Sequence, residues 1–219
     1  MAVAPVVPDQ KTLMATSVSQ EAPASTSERG VRVEAISQET YAGACKVMND
    51  FIGAGKGLCF GCCPFRWCPQ TLETYSEHYE KHPDCRLTTA VAVREEDGFV
   101  LGVCRMSVYG QPRRGDDLHA LSPGEAYFEQ IAVSAEARGK GIGMRFLQWG
   151  EQAARARGMA RLTLSVVAKN PAKRLYEKFG FVEQREDCLD HFCSSFLAAC
   201  FVGMPNGAFG LFDMEKRLT

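Results

Sequence analysis

Arg138-Gly139-Lys140-Gly141-Ile142-Gly143 decides how this chain is read. Ahead of it stands a short apolar strand pattern, Tyr127-Phe128-Glu129-Gln130-Ile131-Ala132-Val133. Behind it, Ile142, Phe146, Trp149 and Ala153 recur at helical spacing, with Leu147, Gly150 and Ala154 beside them. Arg145, Gln148, Glu151, Gln152 and Arg155 take the opposite face. The order is strand, glycine loop, helix start. Glycine permits positive φ and lets a ligand approach bare backbone. A helix start presents unpaired N–H groups and a partial positive charge. Together they suit a phosphate or pyrophosphate. Two other loops are excluded. A dinucleotide fingerprint needs G-x-G-x-x-G, whereas these glycines alternate. A P-loop needs Ser or Thr after Gly-Lys, but glycine follows both Gly139-Lys140 and Gly55-Lys56. From the loop alone, a glycine turn without a ligand stays open.

The downstream sequence narrows the choice. A strand pattern over residues 162–167 leads to Ala168-Lys169-Asn170, then to Pro171-Ala172-Lys173-Arg174-Leu175-Tyr176-Glu177-Lys178-Phe179-Gly180-Phe181. Here the chain resembles the GCN5-related N-acetyltransferase (GNAT) superfamily. Arg138, Gly141 and Gly143 meet the family loop pattern. Asn170, Leu175, Tyr176, Gly180 and Phe181 meet its second motif, with Lys173 where the family has a small residue. Both motifs occur in the family order. The resemblance is strong over residues 124–183 and extends over 31–217.

The resemblance implies acetyl-CoA as co-substrate. It implies that Arg138, Gly139, Lys140, Gly141, Ile142 and Gly143 wrap the pyrophosphate, with charge added by Arg138 and Lys140. Ile131 and Val133 would offer backbone groups to the pantetheine and the thioester carbonyl. Period-2 alternation places their side chains on one strand face with Tyr127 and Glu129. Asn170 would hold the pantetheine arm or the loop beside it. Tyr176 stands at the family position of the thiolate proton donor. Many relatives carry a Glu base before the loop or before Asn170. At the second position this chain has Ser165, so Glu129 is the candidate base and Glu125 the next. Water chains taking the proton remain the alternative.

Element order gives the fold class. Residues 31–36 alternate like a strand, and Ser37 with Thr40 opens a helix to about Ile52, ended by Gly53, Gly55 and Gly57. Residues 71–81 read as a helix stopped by Pro83. Residues 86–94 and 99–109 read as strands joined through Asp97-Gly98, a hairpin signal. Then come the strand at 126–133, the helix at 141–157, the strand at 161–167, a short helix at 171–178 and a strand start at 181–184. Residues 214–218 look like a final strand. Strands, then a helix between parallel strands, predict an α/β (α+β) fold with helices on both faces of a mixed sheet. The resemblance makes that sheet mostly antiparallel, with central strands that splay apart around the cofactor. The expected domain covers residues 30–219. Residues 1–29 lack periodicity and are rich in Ala, Pro, Ser, Thr and Val, so they read as disordered. A transit peptide is the alternative, against which stand Asp9, Glu21 and Glu28.

The chain has 219 residues, 46% hydrophobic and 23% charged, the balance of a globular protein with a real core. A formal net charge of −1 gives no overall basic field to recruit nucleic acid. No apolar run reaches the length of a membrane span. Ten cysteines without a secretory h-region read as mostly reduced thiols, hence a cytoplasmic protein with organelle import open. Cys59, Cys62, His78 and His82 have the spacing of a two-Cys, two-His zinc site. The segment before His78 reads as helix rather than hairpin, so a thiol-rich substrate loop walled by Phe60, Phe65 and Trp67 is the favoured reading, with no metal. The expected activity is acetyl-CoA-dependent N-acetyl transfer to a primary amine, whether a small amine, a peptide N-terminus or a protein lysine. The alternative is a non-catalytic acyl-CoA-binding or zinc-dependent interaction module on the same fold. Oligomeric state is left open.

Overall fold

A computed structural model describes residues 21–53, 70–111, 119–184 and 211–218. The N-terminal twenty residues, Cys59 and Cys62 of the zinc spacing, and the apolar segment after residue 184 lie outside the described residues. The strands are β1 (Thr26–Glu28), β2 (Val31–Ala35), β3 (Thr89–Arg94), β4 (Val100–Val108), β5 (Glu125–Val133), β6 (Arg161–Val167), β7 (Val182–Glu183) and β8 (Leu211–Arg217). The helices are α1 (Tyr41–Gly53), α2 (Leu72–Lys81), α3 (Ile142–Ala156) and α4 (Ala172–Phe179). The strands form one sheet in the order β1-β2-β3-β4-β5-β6-β8-β7. Every neighbouring pair is antiparallel except β5 and β6. The sheet is mixed, as the element order predicts, and mostly antiparallel, as the family resemblance implies.

Each face of the sheet carries its own core. On one face α3 lays Phe146, Leu147, Trp149 and Ala153 onto Met106, Phe128, Leu162 and Leu164, all buried. On the other, Tyr41 and Met48 of α1 and Tyr75 and Tyr79 of α2 cover Val91 and Val103. The Tyr75 and Tyr79 rings stand 5.3 Å apart, edge to face, an arrangement aromatic quadrupoles favour.

The sheet begins earlier than the alternating pattern suggests. Thr26–Glu28 pair with β2 through a tight turn whose Arg29 and Gly30 both have positive φ (55° and 71°), as a two-residue hairpin requires. The guanidinium of Arg145 on α3 donates to the carbonyls of Thr26 (2.5 Å), Glu28 (3.3 Å) and Val31 (2.9 Å), which fastens the hairpin to the helix. β3 begins later than expected. Pro83–Thr88 turn as a 3-10 helix with proline at its start, and the strand opens only at Thr89.

Two glycines set how closely α3 approaches its neighbours. A Cβ on Gly150 would lie 2.4 Å from the Phe128 ring and 2.6 Å from Met106 Sδ, both inside the core. A Cβ on Gly143 would lie 2.8 Å from Leu175 of α4. Gly150→Ala is therefore expected to lower unfolding free energy by about 1–3 kcal/mol, the usual cost of overpacking. Denaturant titration checks it, and wild-type stability would show that the helix has slack on the sheet.

Candidate active site

The strand before the glycine loop departs from simple alternation. In the β4–β5 ladder Cys104 faces Ile131 and Arg105 faces Gln130, but Met106 faces Phe128. Glu129 is thus the extra residue of a β-bulge, which re-aims everything beyond it. Ile131 and Val133 pack with the α3-side core, as Phe128 does, while Ala132 joins the other core. The single face expected for Tyr127, Glu129, Ile131 and Val133 is therefore divided. Glu129 turns away from α3 and meets Arg105 and the Ser107 hydroxyl. Ile131 and Val133 point toward α3.

The bulge lies where the two parallel strands part. β5 pairs with β6 from Glu125–Arg161 to Phe128–Leu164 and no further. Residues 129–133 keep β4 on one edge but have no β6 partner on the other. Ser165 to Val167 pair only with β8. This opened edge is the splay that the sequence resemblance implies.

The glycine loop follows. Gly139 and Gly141 have φ of 77° and 82°, a region that favours glycine, and Gly141 caps α3. The first amide to bond back is that of Arg145, to the Gly141 carbonyl at 3.2 Å. Among the described residues, the N–H groups of residues 139–144 donate to no backbone acceptor. Arg138 and Lys140 are exposed beside them, and the Arg138 Nε donates to the Val133 carbonyl at 3.3 Å. Free amides, a helix start and two cations suit a pyrophosphate.

Tyr176 lies on α4 and packs against the α3-side core. The left-handed Gly180 (φ 100°) ends α4, the Phe181 amide returns to the Tyr176 carbonyl at 3.0 Å, and buried Phe181 anchors that turn in the core. Burial, with Cys104 and Tyr127 nearby, pushes the Tyr176 hydroxyl up to about 12. Among the described residues it makes no hydrogen bond. Asn170 spends its side-chain carbonyl on the Ala172 amide (2.9 Å), after Lys169 has turned the chain at φ 59°. That bond orders the start of α4.

On the face away from α3, a cavity of about 340 Å³ lies over the paired part of β5 and β6 and the neighbouring β8. His119, Glu125, Tyr127, Arg161, Thr163 and Asp213 are among its walls. Glu125 is thoroughly engaged. It accepts from Thr163 (2.6 Å), His119 (2.6 Å), the Ser122 amide (2.9 Å) and Arg161 (3.1 Å). Burial alone would raise its carboxyl, but these donors outweigh it and bring the value down to about 2. That disfavours Glu125 as a base near neutral pH. The His119 ring stacks on Tyr127 at 4.3 Å. Tyr127 donates to Ser165 Oγ (3.1 Å), and Ser165 donates to Asp213. Sequence reading singled out Ser165 but not Asp213, because strand register is needed to see that the two are cross-strand partners.

His78 and His82 of the zinc-like spacing lie near one another on and just beyond α2, ring centroids 5.4 Å apart. Among the described residues no group of three metal-binding side chains converges.

Residues 59–181 match the model of the acetyltransferase (GNAT) family, more than half of the chain, and the protein belongs to that family. Acetyl-CoA is the family's co-substrate. The free amides of residues 139–144, the two cations and the opened strand edge fit such an elongated, phosphate-bearing molecule. Solved structures share the fold. One is yncA from Salmonella typhimurium with its cofactor acetyl-CoA, 16% identical over 87% of this chain and 95% of that one, TM-score 0.62. Another is a ribosomal-protein-alanine N-acetyltransferase from Brucella melitensis, 21% identical over 85% and 99%, TM-score 0.59. A third is a GCN5-related N-acetyltransferase from Kribbella flavida, 20% identical over 88% and 100%, TM-score 0.57. No curated protein sequence matches significantly.

The Glu125 network sets a pH dependence. Its folded value lies below the ordinary one, so it adds stability above about pH 4.5 that is lost as pH falls toward about 2. Glu125→Gln should lower the melting temperature at pH 7 and narrow the gap between wild type and variant at pH 3. A constant gap across that range would remove the carboxylate from the acid response.

Proposed function

We propose that this protein transfers the acetyl group of acetyl-CoA to a primary amine by direct attack of the amine on the thioester. The observation that carries this reading is Tyr176. A hydroxyl near Cys104 and Tyr127, raised to about 12 by burial and without a protein hydrogen-bond partner among the described residues, keeps its proton at neutral pH and has it free to give. A departing thiolate needs such a donor.

The other roles follow from position. The amides of Gly139, Lys140, Gly141, Ile142 and Gly143, with the Arg138 and Lys140 side chains, hold the pyrophosphate. The unpaired edge of β5 at Ile131 and Val133 takes the pantetheine in the manner of an added strand and leads the thioester up to the bulge. Asn170 keeps the start of α4, and with it Tyr176, in position. Glu129 sits at the bulge beside the reacting carbon. Its oxygens are engaged by Arg105 and Ser107. Through these two contacts it holds the bulge.

The acceptor is a small amine, a peptide N-terminus or a protein lysine. The fold shared with a ribosomal-protein-alanine N-acetyltransferase lends support to the peptide N-terminus. Ten cysteines support a reducing, cytoplasmic setting. No described helix is long and apolar enough to cross a membrane.

The test pairs calorimetry of acetyl-CoA with release of free CoA across a panel of primary amines and peptides. Tyr176→Phe keeps the ring and should bind acetyl-CoA as the wild type does. Its turnover should fall at least about tenfold, given that general acid catalysis typically contributes about 10²–10⁴-fold. Equal turnover would remove the acid role. Tight acetyl-CoA binding by the wild type with no CoA release on any acceptor would favour a non-catalytic acyl-CoA-binding module.

A further inference from the structure

We propose that Tyr127, Ser165 and Asp213 form the path by which the acceptor amine loses its proton, with Asp213 as the terminal acceptor. This rests on the acetyl-transfer reading above and adds a proton route to it.

The three residues lie on the adjacent strands β5, β6 and β8. Tyr127 Oη donates to Ser165 Oγ at 3.1 Å, and Ser165 Oγ donates to Asp213 Oδ1. Ser165 and Asp213 are direct cross-strand partners. Ser165 is the first β6 residue beyond the last β5–β6 pair, so the chain of hydroxyls crosses the mouth of the split. Tyr127 and Asp213, the two ends of the chain, both line a cavity of about 340 Å³ over the paired part of β5 and β6. The hydroxyls are aligned in one direction, each donating toward the carboxylate.

The neighbouring carboxylates are otherwise committed. Glu129 is paired with Arg105, Glu125 with Arg161, and Glu215 with Arg161 (3.9 Å) and Arg217 (3.3 Å). Among the described residues, Asp213 has a hydroxyl as its side-chain partner and no cation within ion-pair distance. It is half-buried, so it can return a proton to solvent after each cycle.

The step balances as follows. The amine nitrogen bonds to the thioester carbonyl carbon and becomes a tetrahedral ammonium, far more acidic than the free ammonium ion. Its N–H proton passes to Tyr127 Oη as the Tyr127 proton passes to Ser165 Oγ and the Ser165 proton to Asp213 Oδ1. Both hydroxyls are regenerated and Asp213 becomes a carboxylic acid. Collapse of the intermediate breaks the C–S bond, and Tyr176 protonates the leaving sulfur. Asp213 then gives a proton to solvent and Tyr176 regains one.

The experiment uses the full-length protein, acetyl-CoA and the best acceptor from the amine panel. Ser165→Ala and Asp213→Asn are small changes that should leave acetyl-CoA affinity within about twofold while lowering kcat at least tenfold, within the range of general base catalysis. Because they interrupt one path, the double variant should be no slower than the worse single variant. Rates in mixtures of light and heavy water should show several protons in flight for the wild type and fewer for Ser165→Ala. A merely structural role would not change that proton count. Wild-type kcat in Ser165→Ala, multiplicative losses in the double variant, or an unchanged proton count would each overturn the path while leaving acetyl transfer standing. Bound acetyl-CoA with no turnover in the wild type would overturn acetyl transfer, and this path with it.

Discussion

The parallel pairing of β5 and β6 stops at Phe128 and Leu164, and the candidate site depends on that interruption. A strand edge in a sheet interior normally has its amides and carbonyls satisfied by a neighbour. Here residues 129–133 present one such edge without a strand partner. The bulge at Glu129 marks the place where it opens, and it turns the Ile131 and Val133 side chains toward α3. The backbone can then serve a ligand while the side chains still contribute to the core. Satisfying that edge with an extended arm is the simplest way to complete the sheet.

An opened sheet must be held open by its surroundings. On one side α3 is fixed at three points. Gly150 lets it sit on Phe128, Gly143 lets α4 reach it through Leu175, and Arg145 ties it to the carbonyls of the N-terminal hairpin. The helix start therefore stands in a set position below the split, with residues 139–144 carrying free amides. On the other side a polar layer replaces packing. Glu125 gathers Thr163, Arg161 and His119, and Ser165 joins Tyr127 to Asp213. These bonds cross from β5 to β6 and from β6 to β8, so they hold the strands together just below where they part.

Much of this was legible in the sequence. The loop, the helix behind it, the Asn170 turn and the Leu175-Tyr176 motif each declare themselves through local spacing, and the fold follows from their order. What stayed hidden needed register. Period-2 alternation cannot reveal a bulge, so Glu129, Ile131 and Val133 were expected on one face. Ser165 stood out as an absent carboxylate, but only the pairing of β6 with β8 shows Asp213 beside it. Gly143 read as a ligand-facing glycine, and its approach to Leu175 gives it a packing duty too. The strand at Thr26–Glu28 lacks any apolar signal, because all three residues are exposed and a guanidinium on a distant helix holds the hairpin in place.

On the proposed function, the helix-start amides and the opened edge of β5 bind one continuous ligand. Amide NMR shifts of the labelled protein titrated with acetyl-CoA test it most directly. The largest changes should fall on residues 139–144 and, in the same titration with the same apparent Kd, on Ile131 and Val133. Shifts confined to the loop while β5 stays unmoved, or changes centred elsewhere on the sheet, would contradict it.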